Sequence, residues 1–364
     1  MIGLGDIAGR YADTLRDNPH VRLVACASSS PERALRRHAF DTPVMSLDDL
    51  LTEDEVEMVV NLTPPSVHAE VSRRALRSGK SVYSEKPIAT TLEDARDLAA
   101  MAEASDLLLA CAPATFLGPA QQTARSLIDA GDFGVVWGAA ATLIYPGPDL
   151  WHHDADRLFA TGAGVVMDMG VYDVSALVHL LGPVSRVSAG GGRVHTERTI
   201  QAGPRTGERV PVQAITHAVA LLGFVSGATA TVTVSFDGLG ARRSELELYG
   251  STATLALPRS GEFCGDVRIT RTLGRWDAVK PVLGWTDAAW SIGVLDAADA
   301  FRAQRPPRAS AAMAIHVLET LIAMERSIRD GVSIDVASRP ARPEPLSAKE
   351  FARLVPAVTP EFTP

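Results

Sequence analysis

Three residues, Lys86, Asp168 and Tyr172, have side chains suited to moving a proton to or from a hydroxyl group. Oxidation of a carbinol needs a base for the hydroxyl proton, and the reverse reaction needs an acid. Asp168 and Tyr172 are spaced i and i+4, so on one helix they share a face. The ordinary pKa of tyrosine, about 10, is too high for an efficient base at neutral pH, and a nearby ammonium would favour the phenolate. The pattern therefore predicts an acid–base pair of Lys86 and Tyr172, with Asp168 binding the substrate or orienting the pair.

Each of these residues also has a structural interpretation. A lysine before a proline at a strand end is usually a solvated charge, and a tyrosine on an apolar helix usually belongs to the core. Asp168 could be a cap or an ion-pair partner. Taken singly, the structural roles are favoured, and only the joint occurrence of the three residues favours a site.

The first residues contain a G-x-G-x-x-A pattern, which is typical of a dinucleotide-binding turn. Gly3 permits the tight turn, Gly5 lets the backbone approach a pyrophosphate, and Ala8 allows close packing of the following helix. That helix would direct its N-terminus towards the phosphates. The candidate cofactor-binding residues here are Gly3, Gly5, Asp6, Ile7 and Ala8. Because a strand should precede the turn and only Met1 and Ile2 do so, we expect a natural start several residues upstream.

The end of the second expected strand bears on the choice of cofactor. A carboxylate there would bind the ribose hydroxyls of NAD and repel a 2′-phosphate. This chain has Ser28, Ser29 and Ser30 instead, with Arg33 shortly after them. Hydroxyl groups and positive charge tolerate a phosphate, so we expect NADP(H) to be favoured over NAD(H). A serine-rich helix start with a solvated basic face is the alternative interpretation.

The elements that must position these residues alternate, in residues 1–112, between short apolar strands and amphipathic helices. This order predicts a parallel sheet with right-handed crossovers. The predicted strands are Val21–Ala27, Val56–Leu62, Ser81–Ser84 and Leu107–Ala112, and the predicted helices are Arg33–His38 after Pro31, Ser66–Ser78 and Leu92–Ala104.

After Pro113 the pattern changes to longer alternating stretches, which are typical of an antiparallel sheet with one covered face. The predicted strands are Val135–Tyr145, Val184–Ala189, Ile215–Phe224, Ala228–Phe236, Glu245–Tyr249 and Val267–Thr272, and the predicted helices are Pro119–Ala130, Trp290–Gln304 and Ala309–Arg329. The fold class is therefore α/β. We expect a Rossmann dinucleotide-binding domain over residues 1–113 and an α+β substrate-binding and oligomerisation domain over 114–364, with a large, mostly antiparallel sheet. The proline-rich residues 337–364 are expected to wrap over the surface.

Four segments together resemble the Gfo/Idh/MocA family, named for glucose-fructose oxidoreductase and inositol dehydrogenase. Besides the N-terminal glycine pattern they are Thr63–His68, Glu85-Lys86-Pro87, and Gly162-Ala163-Gly164 leading to Asp168–Asp173. Their order and spacing make coincidence improbable, and the resemblance covers nearly the whole chain. It implies that Lys86 and Tyr172 are the catalytic pair and that Asp168 lies on the substrate side. It also implies further cofactor-side residues, namely Thr63, Pro64, Pro65, His68, Glu85 and Lys86.

The family usually has histidine where this chain has Tyr172. The tyrosine form resembles the branch containing glucose-fructose oxidoreductase, dihydrodiol dehydrogenases and some sugar ketoreductases. The resemblance thus implies an NAD(P)-dependent oxidoreductase that transfers a hydride to or from a sugar-like alcohol or ketone. An NAD-dependent glycosidase of the same family is one alternative, against which Tyr172 counts. A non-catalytic dinucleotide sensor is another, against which Lys86 counts.

Trp151 and His152 precede the glycine-rich turn and are candidate substrate-binding residues. A tryptophan in a loop with polar neighbours could stack on the face of a sugar, although an anchoring role at a domain junction is an equal alternative. No Cys or His spacing indicates a metal site.

Composition limits the remaining partners and the location. The net charge is −8 without basic blocks, which argues against nucleic acid or an anionic membrane as the main partner. No apolar run approaches the ~20 residues of a membrane span, and the start lacks the features of a secretory leader. With three separated cysteines, typical of a reducing compartment, we expect a cytoplasmic protein. We also expect a homo-oligomer, a dimer or tetramer, because one face of the antiparallel sheet needs covering.

Overall fold

The computed structural model describes residues 1–16, 18–31, 42–241, 245–284 and 290–355. The N-terminal part contains short buried strands that alternate with helices, as the apolar pattern predicts. The strands are β1 (Cys26–Ala27), β2 (Val44–Met45), β3 (Met58–Asn61), β4 (Ser81–Ser84) and β5 (Leu109–Cys111), and the helices are α1 (Ala8–Leu15), α2 (Leu47–Thr52), α3 (His68–Arg77) and α4 (Leu92–Ala104).

All the pairings among these five strands are parallel, β1 with β2 and β3 with β4 and β5. Ile2 joins the two groups through isolated parallel bridges to Ala27 on one side and Asn61 on the other. The spatial order is therefore β2, β1, Ile2, β3, β4 and β5, which is the arrangement of a doubly wound sheet with the fingerprint strand in the centre. The carboxyl ends of these strands meet at one edge, where such sheets bind ligands.

A large mixed sheet dominates the next part of the chain. The helices of this part are α5 (Pro119–Asp129), α6 (Asp156–Phe159), α7 (Gly164–Asp168) and α8 (Gly170–Leu181). The strands up to residue 278 that belong to the large sheet are β6 (Val136–Ile144), β7 (Val184–Gly192), β10 (His217–Phe224), β11 (Thr229–Ser235), β12 (Leu246–Gly250), β13 (Thr254–Leu257), β14 (Arg268–Thr272) and β15 (Arg275–Ala278). The short strands β8 (Glu197–Thr199) and β9 (Arg209–Pro211) pair with each other in a separate two-stranded sheet. The chain ends with α9 (Ile292–Ala303), α10 (Ala311–Asp330), β16 (Ile334–Asp335) and α11 (Ala348–Leu354).

Within the described residues this sheet has nine strands in the order β15, β14, β13, β12, β6, β11, β10, β7, β16. Only the pairing of β11 with β6 is parallel, as in Val232 with Ala141, and the other described pairings are antiparallel. The expectation of a large, mostly antiparallel sheet is confirmed. Alternate residues of β10 are buried, Ala218, Ala220 and Leu222, and α7 packs against this strand.

The chain divides into two compact units that are not contiguous in sequence. The first comprises Met1–Pro119, Val282–Ile315 and Pro343–Pro364, and the second comprises Ala120–Pro281 and His316–Arg342. We expected a single division between residues 113 and 114. The structure differs because two later segments return to the first unit, which no single cut of the sequence can represent.

The buried ion network of the first unit explains one of these returns. Asp296, fully buried on α9, pairs with Arg308 Nη1 at 2.6 Å and with Arg305 Nη2 at 2.7 Å. Arg308 also holds Glu350 of α11 at 2.8 Å and donates to the carbonyl oxygen of Pro345 at 3.0 Å. Because Leu346, Phe351 and Leu354 are also buried, the expectation that residues 337–364 merely wrap over the surface is wrong over residues 346–354.

Several other expectations can be compared with the described residues. The strand Ser81–Ser84 and the helix Leu92–Ala104 are confirmed. The strand expected over Val21–Ala27 is reduced to Cys26–Ala27, because β2 pairs with only those two residues. The helix expected over residues 33–38 lies outside the described residues. None of the helices in the described parts of the chain combines the length and apolar character of a membrane span.

Candidate functional site

The fingerprint turn lies at the edge of the parallel sheet, and its glycines meet different demands. Gly3 has φ +89°, and a Cβ there would lie 2.6 Å from the carbonyl carbon of Leu62, so only glycine fits. A Cβ on Gly5 would meet nothing within 4 Å, so the protein itself does not require that glycine. Ala8 is fully buried where α1 begins. A tight turn with open space over Gly5 at a helix N-terminus fits a bound pyrophosphate.

The other residues of this turn and of the next strand end are more exposed. Asp6 is exposed and Ile7 half-buried just before α1. Ser28 follows β1 directly, and its hydroxyl accepts a hydrogen bond from the N–H of Ser30 at 3.1 Å. Ser29 and Ser30 are exposed. Arg33, which we named as a cofactor-binding candidate, lies outside the described residues.

Two buried side chains, Asn61 and His68, fix the conformation of the loop after β3 by hydrogen bonds. The hydroxyl of Thr63 donates to Asn61 Oδ1 at 2.6 Å, and Asn61 Nδ2 donates to the carbonyl of His68 at 3.0 Å. The ring nitrogens of His68 contact two carbonyl oxygens, Nδ1 at 2.7 Å from Pro87 and Nε2 at 2.6 Å from Thr63. His68 is 1% exposed, so it braces the loop rather than facing a ligand. Pro64 lies exposed at the loop tip, as does the residue after it, Pro65.

The Glu-Lys-Pro segment directly follows β4, at the carboxyl edge of the sheet. The main-chain N–H of Glu85 donates to the carbonyl of Asn61 at 2.8 Å, which continues the parallel pairing by one residue. Lys86 and Glu85 are half-buried, whereas the four residues of β4 are fully buried. The lysine side chain thus leaves the sheet where ligands of doubly wound sheets bind.

In the second unit, the glycine-rich turn before α7 is docked on the segment that leads into β10. Gly164 has φ +87°, and a Cβ there would lie 2.5 Å from the carbonyl oxygen of Ile215 and 2.8 Å from Ala214 Cβ. The N–H of Val165 donates to the same Ile215 carbonyl at 3.1 Å. Glycine is therefore required at position 164, and the helices that follow start from a defined point on the sheet.

Asp168 and Tyr172 lie on two helices rather than one. Asp168 ends α7, and Met169, with φ −110°, separates it from α8. The N–H of Tyr172 donates to the carbonyl of Met169 at 3.1 Å, three residues back instead of four. The expectation of one continuous helix is wrong, because the N–H of Tyr172 donates to Met169 rather than to Asp168 and a turn at Met169 separates α7 from α8.

Tyr172 nevertheless has an unusual position on α8. Every other residue of Gly170–Leu181 is buried, whereas Tyr172 is half-buried near the start of the helix. The main chain of Gly261 packs against its ring, since a Cβ there would lie 3.7 Å from Tyr172 Cγ. Asp168 is also half-buried. The end of a buried helix thus brings a phenol ring to the surface of the unit.

The loop with Trp151 and His152 is attached to the same lead-in to β10. The N–H groups of Gln213 and Ala214 both donate to the carbonyl of Phe159, at 2.8 and 2.9 Å. Trp151 is 55% exposed, and its ring contacts the ring of His152 edge-on at 5.4 Å. His152 Nδ1 accepts a hydrogen bond from the N–H of Asp154 at 3.0 Å, which leaves the proton of the neutral ring on Nε2.

Two features of the second unit were missed in the sequence. Arg198 donates to the Phe236 carbonyl at 2.7 Å and to Asp237 at 3.1 Å, with the buried Asp149 at 3.9 Å, and so fixes the base of the Trp151 loop. Asp173, next to Tyr172, is 3% exposed. Burial raises its pKa to about 6, an effect that the nearby Ser260 hydroxyl opposes. No local pattern separates such buried charges from surface charges.

A parallel sheet with a glycine turn over a helix N-terminus defines a dinucleotide-binding protein of the Rossmann type. The family model described as an oxidoreductase family with an NAD-binding Rossmann fold matches residues 1–112. The model described as the GFO/IDH/MocA C-terminal domain matches residues 121–256.

Named relatives agree with this assignment. The chain is 31% identical over 262 residues to dTDP-3,4-didehydro-2,6-dideoxy-alpha-D-glucose 3-reductase of Actinomadura kijaniata, covering 71% of this chain and 74% of the relative. It is 32% identical over 197 residues to D-xylose 1-dehydrogenase (NADP(+)) of Hypocrea jecorina, covering 48% and 50%. The solved structure of an NAD binding oxidoreductase from Klebsiella pneumoniae superposes with a TM-score of 0.79, at 21% identity, over 92% of this chain and 97% of that one.

The chain belongs to the Gfo/Idh/MocA family of NAD(P)-dependent sugar oxidoreductases. The predicted family and fold class are confirmed, as is the prediction of an enzyme that acts on CH–OH or C=O groups.

Proposed function

We propose that the protein transfers a hydride between a nicotinamide and a sugar-like alcohol or ketone, with Lys86 and Tyr172 as its acid–base pair. The observation that carries this proposal is the exposure of Tyr172 on a helix whose other residues are all buried. A tyrosine of the core would be covered like its neighbours. The half-buried Lys86 at the carboxyl edge of the parallel sheet supports the second half of the pair.

The bound nicotinamide supplies or accepts the hydride. Tyr172 takes the hydroxyl proton of the substrate in oxidation and returns it in reduction. The ammonium of Lys86 favours the phenolate form that can act as the base. Asp168 accepts a hydrogen bond from a substrate hydroxyl, and Trp151 and His152 bind the sugar by stacking and by an Nε2–H donor. The sugar-like substrate class is supported by the names of two relatives, a deoxysugar reductase and a xylose dehydrogenase.

A panel of sugars, ketosugars, inositols and dihydrodiols, assayed with NADP(H) and NAD(H) at the nicotinamide absorbance, tests the activity. On the best substrate, Lys86→Ala and Tyr172→Phe should each reduce kcat by about 10²–10⁴ while cofactor binding, followed by fluorescence, persists. Lys349→Ala and Tyr83→Phe are the matched controls. The first removes an exposed lysine, and the second removes a buried tyrosine hydroxyl that has no partner at full hydrogen-bond geometry within the described residues. Near-full activity of Tyr172→Phe would exclude the acid–base role.

Two observations in the same panel would indicate the alternatives. Release of a sugar from a glycoside without net change in nicotinamide absorbance would indicate a glycosidase. Cofactor binding without any turnover across the panel would indicate a sensor.

We also propose a preference for NADP(H) over NAD(H). The support is the serine run at the end of β1, where Ser28 takes the position of the ribose-binding carboxylate. Ser28→Asp should shift the preference towards NAD(H), because the new charge repels a 2′-phosphate. Fluorescence titration with both cofactors measures this preference, and Ser28→Asn is the uncharged control. Tighter binding of NAD(H) by the unmodified protein would contradict the proposal.

We further propose a homo-oligomer, a dimer or tetramer, formed through the exposed face of the nine-stranded sheet. Val219 and Leu221, on alternate positions of β10, are 43% and 50% exposed, and Trp137, stacked on Tyr249, is 58% exposed. Such a group of exposed apolar side chains is typical of an interface. Leu221→Glu should convert the oligomer to a monomer in light scattering. Thr231 lies opposite Leu221 on the neighbouring strand β11, so Thr231→Glu tests whether a charge elsewhere on the same face has the same effect. A monomer at micromolar concentration for the unmodified chain would contradict this.

A cytoplasmic location is part of the same proposal. The support is that Cys26, Cys111 and Cys264 form no disulfide within the described residues, which is typical of a reducing compartment. Fractionation of the native cells, with detection of the protein by antibody, tests the location, and recovery from a secreted or envelope fraction would contradict it.

A further inference from the structure

A hydrogen-bond chain connects the helix after the fingerprint turn to the Glu-Lys-Pro segment. Tyr11, in the first half of α1, is 1% exposed, and its hydroxyl donates to Glu85 Oε1 at 2.7 Å. The other carboxylate oxygen, Oε2, accepts from the main-chain N–H of Lys86 at 2.9 Å. One carboxylate therefore lies between a buried phenol and the backbone of Lys86.

The remaining polar groups of Glu85 are also engaged. Its N–H donates to the carbonyl of Asn61 at 2.8 Å, and its carbonyl accepts from the hydroxyl of Ser84 at 3.0 Å and, more weakly, from the thiol of Cys111 at 3.6 Å. The main chain of Glu85 is thus fixed by the sheet, and only the torsions of its side chain can change. The hydroxyl of Tyr11 holds those torsions, because a charge-assisted O–H···O hydrogen bond is short and directional.

We propose that Tyr11 is a positioning residue for Lys86 and acts through the carboxylate of Glu85, an inference that rests on the proposed catalytic role of Lys86. Without the Tyr11 hydroxyl, the carboxylate loses a buried donor and can rotate away from the N–H of Lys86. The lysine then samples orientations that do not serve the reaction, and displacements of this kind reduce turnover more than they reduce binding. Because Tyr11 lies on the helix whose N-terminus would face the pyrophosphate of a bound dinucleotide, the same hydrogen-bond chain would connect cofactor binding to the position of Lys86.

The chain provides a matched control within the same unit. Tyr83, on β4, has its ring centroid 6.4 Å from that of Tyr11 and is also fully buried. Its hydroxyl has no partner at full hydrogen-bond geometry within the described residues, although the Tyr11 hydroxyl lies close enough to affect it. Burial, together with the charges of Glu85 and Cys111, holds the pKa of Tyr83 well above its ordinary value, although the Tyr11 hydroxyl opposes this. Tyr83→Phe therefore removes the same atom as Tyr11→Phe without breaking a hydrogen bond to Glu85.

The first experiment compares the kinetics of Tyr11→Phe, Glu85→Gln and Tyr83→Phe in the full-length protein. We expect Tyr11→Phe to reduce kcat about tenfold, with the KM for the sugar and the dissociation constant for NADPH changed less than about threefold. Tyr83→Phe should match the wild type. Glu85→Gln should reduce kcat similarly, and the double variant should be no worse than the worse single variant, because both act along one chain. Additive losses would overturn the proposal.

The second experiment does not depend on the substrate. The sequence contains only four lysines, Lys80, Lys86, Lys280 and Lys349, so ¹³C-dimethylation produces a simple NMR spectrum in which Lys86→Arg identifies the Lys86 signal. In Tyr11→Phe the Lys86 signal should shift or broaden while the other three remain unchanged, and in Tyr83→Phe all four should remain unchanged. A Lys86 signal that is the same in Tyr11→Phe and the wild type would overturn the proposal.

The two proposals fail in different ways. Full activity of Lys86→Ala would refute the catalytic role of Lys86, yet the NMR comparison would still report whether Tyr11 holds that residue. An inactive Lys86→Ala together with wild-type kcat for Tyr11→Phe would retain the catalytic role and refute the positioning role. If Tyr11→Phe fails to fold, Glu85→Gln carries both measurements, and an unchanged kcat and Lys86 signal in that variant would refute the proposal.

Discussion

Replacing Asp173 by asparagine should make the second unit more stable at neutral pH and leave it unchanged in acid. Asp173 lies on α8 beside Tyr172 and is 3% exposed, and its Oδ2 has no hydrogen-bond partner within the described residues. Burial of the charged form raises the pKa of this carboxyl from 3.8 to about 6. The folded protein therefore holds this proton more tightly than the unfolded chain does.

The sign of the effect follows from proton linkage. Well below the ordinary pKa of 3.8 the carboxyl is protonated in both states and costs nothing. As the pH rises from about 4 to about 6, the unfolded chain loses its proton first, so the free energy of unfolding falls. Above the pKa of the folded protein, the free energy of unfolding has fallen by the full amount. A difference of about 2 pKa units corresponds to about 3 kcal/mol, as an order of magnitude. Asparagine has the same shape and no charge, so it avoids this cost.

Calorimetry of Asp173→Asn and the wild type at pH 4.5 and pH 8 measures the prediction. A change of 1 kcal/mol moves the melting temperature of a domain of this size by about 2–4 °C, so we expect a rise of several degrees at pH 8 and about one third of that rise at pH 4.5. Asp266→Asn, at a carboxylate that is 85% exposed, is the control and should change neither. A variant that is less stable than the wild type at both pH values, or equally shifted at both, would refute the linkage argument.

Three further predictions concern backbone geometry and ion pairing. Gly3→Ala should abolish cofactor binding in fluorescence titration, because its Cβ would lie 2.6 Å from the backbone of Leu62, and retained affinity would contradict this. Gly164→Ala should lower the melting temperature of the second unit at all pH values, since a φ of +87° strains an L-residue. Arg308→Ala leaves the buried Asp296 with less compensation and should cost about 3–5 kcal/mol in urea unfolding, and a loss under about 1 kcal/mol would show that Arg305 suffices.

The parts of the fold that follow local rules could be predicted from the sequence. Ser81–Ser84 is a short stretch with Val82 and Tyr83 at its centre, bounded by turn residues. Leu92–Ala104 has a Thr91 cap that accepts a hydrogen bond from the N–H of Asp94 at 3.1 Å. The glycine turn could also be predicted, because the turn needs a positive φ and glycine is the residue type that adopts a positive φ without strain. These signals depend on neighbours in sequence, so no tertiary information is needed to interpret them.

The break at Met169 could not be predicted in the same way. Most residues from Val165 to Leu177 are apolar and compatible with one helix, and no proline marks an interruption. Gly164 is pinned to the carbonyl of Ile215, about fifty residues later in sequence, and α8 begins again at Gly170, which packs against Leu321. The start of α7 and the start of α8 are thus each fixed by contacts with residues that are distant in sequence.

The sequence by itself determined the class of fold, the dinucleotide turn and the identity of the candidate catalytic residues, because residue type and spacing carry that information directly. Only the tertiary structure decided which charged groups are buried, as with Asp173 and Asp296, and which polar groups meet, as with Tyr11 and Glu85. Burial and hydrogen-bond partners depend on residues that are distant in sequence. Tyr11 and Glu85, for example, are 74 positions apart. No local pattern encodes such pairs, since their energies arise from the exclusion of water by the assembled core.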